Sequence, residues 1–177
     1  MYGYALGDES SARKSCASLL PKEALKEITL NFKNWRVLEK NDIDSLSQVL
    51  WDETRGEECP GVAVGNYDGS NEKGYAALII PQDSTKRKFK LLLLKKNSSR
   101  NYTIKTLIKS SGVGDYPVIY KGKPGTYTET GSFDYDKDNE ADSVETKYDV
   151  IICEFIEKGA LAFYYKDGKF HELVISD

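Results

Sequence analysis

Tyr102-Thr103-Ile104-Lys105-Thr106-Leu107-Ile108-Lys109 alternates between two sets of side chains, and alternation with a period of two is the mark of a β-strand. The pattern predicts Tyr102, Ile104, Thr106 and Ile108 on one face and Thr103, Lys105, Leu107 and Lys109 on a largely wet one. Leu91 to Leu94 and Val150 to Cys153 are continuously apolar instead, which suits central strands covered on both sides.

Working outward from this stretch, everything from Cys59 onward consists of short β-rich runs separated by Gly, Asn, Asp, Ser and Pro clusters. Strands are predicted at 62–67, 75–80, 88–96, 102–109, 118–121, 127–132, 148–156, 161–166 and 169–176. Asp167-Gly168, between Tyr164-Tyr165 and Lys169-Phe170, suits a two-residue hairpin turn, which needs positive φ at both positions. Upstream, Leu25, Ile28 and Phe32 follow Pro21 at helical spacing, predicting a helix from Pro21 to Asn31. Trp35 to Leu38 reads as extended. Asp42 or Asp44 caps a second helix whose stripe is Ile43, Leu46, Val49 and Leu50, stopped by Gly56. The expected fold is α+β: two N-terminal helices packed on a mainly antiparallel meander of about seven to nine strands. Residues 1–17, small and polar, form a flexible lead-in, and 18–177 form a single domain.

The balance of 25 basic against 28 acidic residues leaves a net charge of -3, so no global field favours nucleic acid. No apolar run approaches the ~18 residues that a membrane-spanning helix needs. Met1 to Ser15 carries charges where a secretory leader has its apolar centre, which is compatible with a mature exported chain or a cytoplasmic one. Twelve tyrosines suit half-buried sheet faces and binding surfaces alike.

The chain has three cysteines, so at least one is unpaired. Cys59 lies in a Cys-Pro-Gly loop entering the first sheet strand and Cys153 inside a buried strand, while Cys16 falls in the lead-in and reads as a free thiol. A Cys59 to Cys153 bond is the leading expectation, worth about 4 to 5 kcal/mol in the chain-entropy model, with two separate buried thiols as the alternative. A bonded pair implies an oxidising compartment, periplasmic or secreted; unbonded thiols would point to the cytoplasm.

Residues able to carry chemistry are few. His171 is the sole histidine, on a terminal strand, and there is no Gly-x-Ser-x-Gly elbow or Cys-x-x-Cys pair. The reading is therefore of a non-enzymatic chain, although carboxylate pairs lie anywhere in sequence and 28 acidic residues are present. Asp134, Asp136, Asp138 and Asp142 have the alternate spacing of oxygen ligands in a calcium loop, and Glu145 falls at the twelfth position, where such loops place a bidentate carboxylate. The competing reading is a solvated acidic connector with no cofactor. Asn66, Asp68 and Asn71 form a weaker candidate. Lysines and arginines gather at Lys86-Arg87-Lys88 and at Lys95, Lys96 and Arg100, as an anion patch or as protection of a sheet edge.

The run Cys59-Pro60-Gly61-Val62-Ala63-Val64-Gly65-Asn66-Tyr67-Asp68-Gly69 with Tyr75-Ala76-Ala77-Leu78-Ile79 resembles uncharacterised bacterial exported proteins whose strand-loop-strand unit is similar to a degenerate FG-GAP motif. The resemblance extends through Cys153 to Tyr164-Tyr165-Lys166-Asp167-Gly168-Lys169-Phe170. It implies an extracytoplasmic location and supports the Cys59 to Cys153 pair. Taken together, the expectation is a protein that binds a protein partner, an inhibitor or immunity protein occluding a toxic or hydrolytic enzyme. Tyr127, Tyr135, Asp134, Asp136 and Asp138 are the expected contacts. The alternatives are a carboxylate-based hydrolase acting on cell-wall material and a calcium-stabilised structural module.

Overall fold

The computed structural model describes residues 15–83, 87–97, 99, 101–111, 114–130 and 143–175. A 3-10 turn at Cys16–Leu19 leads into helix α1, Lys22–Asn31, whose first residue follows Pro21, as a pre-set φ favours. Strand β1, Trp35–Val37, precedes helix α2, Ser45–Arg55, which Asp44 caps by accepting from the Ser47 backbone N–H at 3.0 Å. The strands β2, Val62–Gly65; β3, Gly74–Pro81; β4, Lys88–Lys96; and β5, Tyr102–Ser111, follow. They and β1 form one antiparallel sheet, in which β1 and β2 lie along the same strand, β3, followed by β4 and β5.

The later strands are β6, Val118–Gly122; β7, Gly125–Thr128; β8, Ser143–Thr146; β9, Val150–Phe155; β10, Gly159–Lys166; and β11, Lys169–Ile175. They build a second sheet in the order β11-β10-β9-β6 and a separate ribbon of β7 with β8. The class is α+β with mostly antiparallel strands, but the expected single meander is replaced by several sheets. Long-range burial explains the difference. Leu91 and Leu93 of β4 face Ile151 and Cys153 of β9 in one shared core, so each sheet covers the other. The opposite side of β4, Leu92 and Leu94, packs under Cys16, Leu20, Ala24 and Ile28. On the outer side of β9, Val150 and Ile152 are covered by Tyr127, Tyr164 and Leu173 rather than by a helix. At one side the sheets meet, where the Ile119 N–H donates to the Pro60 carbonyl at 2.8 Å. On the other side, among the described residues, no strand pairing joins β5 to β11.

Two further expectations change. In α2 the buried residues are Ser47 and Trp51, whereas Leu46 and Val49 are 56% and 54% exposed. The indole decides the rotation: Trp51 is the largest side chain on the helix, and its N–H donates to the Glu58 carbonyl at 2.8 Å. In β5, Leu91 of β4 faces Ile108 but Leu92 faces Thr106, so Leu107 is an extra residue, a β-bulge. Tyr102 and Ile104 therefore pack with the α1 side, while Leu107 and Ile108 turn into the core between the sheets.

Candidate partner-binding cleft

The cysteine pairing is corrected. Cys59 is bonded to Cys16, at a sequence separation of 43, and Cys153 is free and buried. Cys153 sits on a central strand, 0% exposed, facing the core between the sheets, while Cys59 packs on the opposite side of the first sheet with Cys16. The first sheet itself thus separates Cys59 from Cys153. Cys16 belongs to an ordered element, held additionally by Glu39, whose carboxylate accepts from the Cys16 N–H at 2.8 Å and the Ser15 hydroxyl at 2.6 Å. Burial, and then the charge of Glu172, push the Cys153 thiol upward, so it stays protonated and unreactive.

Of the other nominated residues, Asp134, Tyr135, Asp136, Asp138 and Asp142 lie outside the described residues. Glu145 is exposed on β8. Tyr127 is half-buried against the second sheet, its hydroxyl donating to the Lys123 carbonyl at 2.7 Å; burial and then the Asp149 charge raise its pKa. That contact anchors the ribbon. In the Asn66–Asn71 loop, Asp68 accepts from the Ser70 N–H and hydroxyl and is ion-paired with Lys95, so an ammonium occupies the place a cation would take. Asn66 accepts from the Gly69 N–H at 2.9 Å, and its own N–H donates to Asp149 at 2.8 Å. No group of three or more His, Cys, Asp or Glu side chains suited to a metal occurs among the described residues.

What the fold assembles instead is a cleft at its open side. The bulge places Leu107 toward β11, and the Asp167-Gly168 turn, with φ of 50° and 81°, returns β11 so that Phe170 pairs with Tyr165 and faces the core. Leu107, Phe163 and Phe170 line a cavity of about 140 Å³. On the β5 lip the Lys105 ammonium lies 5.5 Å from the Phe170 ring centroid. On the β11 lip stands exposed Glu172. Neither Lys105 nor Glu172 has an ion pair among the described residues. His171 turns to the other side of β11, stacked on Tyr164 at 5.4 Å, with Nε2 3.2 Å from the Lys166 carbonyl oxygen. Sequence reasoning missed this cleft; the consecutive apolar residues Leu107-Ile108, which break the alternation, were its one visible signal.

The second basic feature lies on the α1 side of β4 and β5. Lys90 faces Lys109 directly across the strands, Lys88 is two residues along, and the Lys90 ammonium sits 4.5 Å from the Trp35 ring centroid. Burial, then Lys109, then Lys88 lower the Lys90 pKa. Of the lysines and arginines nominated from sequence, Arg87 pairs with Asp115 and Lys95 with Asp68.

Comparisons with protein-family models, curated proteins and solved structures return no match. The structure defines a class, a mostly antiparallel α+β protein with a disulfide.

Proposed function

We propose that this chain is a non-enzymatic extracytoplasmic binding protein, an inhibitor or immunity protein that occludes a partner enzyme. The observation that carries the reading is the cleft between β5 and β11, where two strand edges stand apart around an apolar floor of Leu107, Phe163 and Phe170. An aromatic floor beside an unpaired strand edge, here that of β5, is a recurrent way of holding a protein segment, whereas on β11 the Val174 carbonyl already accepts from the Thr130 N–H at 3.3 Å. The Cys16–Cys59 bond supports an oxidising compartment, in place of the pairing expected from sequence. No helix among the described residues is long and apolar enough to cross a membrane. The hydrolase alternative needs two facing carboxylates, and among the described residues lining the cleft Glu172 is the single one.

The test is affinity capture from the source cell with the unaltered chain and with Leu107→Arg, which fills the cleft. The unaltered chain captures an enzyme and lowers its activity; the variant, with unchanged circular dichroism, captures little of it. Equal capture by both chains, or a captured enzyme whose activity is unaffected, refutes the reading.

A further inference from the structure

Strand β5 is the edge of its sheet, ten residues long, and among the described residues no backbone hydrogen bond reaches its outer side. Such an edge is a template for another strand. The regular part is Tyr102 to Thr106, which pairs with Lys96 to Leu92 on the inner side and ends at the bulge. The edge carries positive charge at Lys105 on the cleft face and, past the bulge, at Lys109 on the other face, while the Glu23 and Glu72 charges act on Tyr102 at its start. Lys105 projects over the cleft, held above Phe170. On the other face Lys109 lies across from Lys90 with Lys88 beside them, and none of these lysines has an ion pair among the described residues.

Like charges directly opposite each other in a sheet destabilise it, with Cβ atoms about 5 Å apart. Burial is the larger cause of the lowered Lys90 pKa, and the Lys109 and Lys88 charges lower it further. An arriving carboxylate relieves that repulsion, whereas an arriving ammonium adds to it. Two copies of β5 laid edge to edge would bring lysine against lysine, so the charges that protect the edge from self-association also select its partner.

We propose that β5 accepts an extended acidic segment of the partner protein, added as a further strand along Tyr102 to Thr106, with an apolar side chain in the cleft beside Leu107 and Phe170. The cavity of about 140 Å³ is close to the ~150 Å³ that holds a benzene ring, enough for one such side chain. Glu172 on the facing lip repels carboxylates toward β5 and so helps to set which side of the added strand is acidic. This inference rests on the partner-binding reading and adds the chemistry of the partner's segment.

The probes are three capped heptapeptides: alternating glutamate and valine, alternating lysine and valine, and the glutamate peptide with a central proline. The glutamate peptide binds, weakens about tenfold between low and high salt as an ionic contact does, and slows amide exchange at Tyr102 to Thr106. The other two peptides bind at least tenfold more weakly, and Lys105→Glu with Lys109→Glu reverses the preference toward the lysine peptide. A glutamate peptide that binds no better than the lysine peptide overturns the proposal, as does protection that appears away from β5 or a β5-mediated dimer of the unaltered chain. If the charge reversals leave enzyme capture intact while Leu107→Arg abolishes it, the acidic strand falls and the inhibitor reading stands.

Discussion

Replacing Cys16 and Cys59 together by alanine opens a loop closed across a sequence separation of 43 and releases the 3-10 turn from the first sheet. A loop of that length corresponds to about 4 kcal/mol in the chain-entropy model. For a domain of this size each kcal/mol shifts the melting temperature by roughly 2–4 °C, so the expected loss is about 8–16 °C. Reductant lowers the melting temperature of the unaltered chain by a similar amount, since Glu39 and the buried Leu20 hold the turn only in part. Cys153→Ala has its own packing cost but keeps the full response to reductant, because its thiol takes no part in the bond. Thermal unfolding by circular dichroism, with and without reductant, measures these differences. Alkylation of the denatured, unreduced chain labels Cys153 alone. Labelling of Cys16, or a Cys153→Ala chain that no longer responds to reductant, refutes the assignment.

Asp42 offers a pH test: burial pushes its carboxyl up, but hydrogen bonds from Arg36 and the Glu39 N–H, with the Arg36 charge, outweigh burial and hold it below the ordinary value. Its contribution is therefore fully present above the unfolded pKa, about 4, and is lost as pH falls through the folded value. Urea unfolding of Asp42→Asn shows a deficit of about 1 kcal/mol at neutral pH, discounted because Arg36 is 38% exposed, and the deficit closes in acid. A deficit that persists unchanged below the folded pKa counts against this account. Gly69 has φ of +73°, and an added Cβ would lie 2.3 Å from the Tyr148 ring, so Gly69→Ala costs about 2–3 kcal/mol in chemical unfolding. A near-neutral Gly69→Ala would mean that Tyr148 moves aside freely.

Most strands and both helices were legible in the sequence because their causes are local, whereas β8, Ser143–Thr146, was not among the expected strands and its Glu145 was read as the end of an acidic loop. Alternation placed β5, the apolar runs placed β4 and β9, Pro21 and Gly56 bounded the helices, and Asp167-Gly168 made its hairpin by tolerating positive φ. The tertiary structure alone decided how the strands divide between sheets, since covering both sides of Leu91 to Leu94 and Val150 to Cys153 requires one sheet to fold over the other. That same layering put Cys59 beside Cys16 and sealed Cys153 away. Trp51 turned α2 against its own stripe of Leu46 and Val49, because burying an indole with its N–H satisfied outweighs burying two aliphatic side chains. The cleft is a product of separation as well: Lys105, Phe163 and Phe170 come from three strands of two sheets, and only the bulge at Leu107 and the unpaired edge of β5 bring them to one opening.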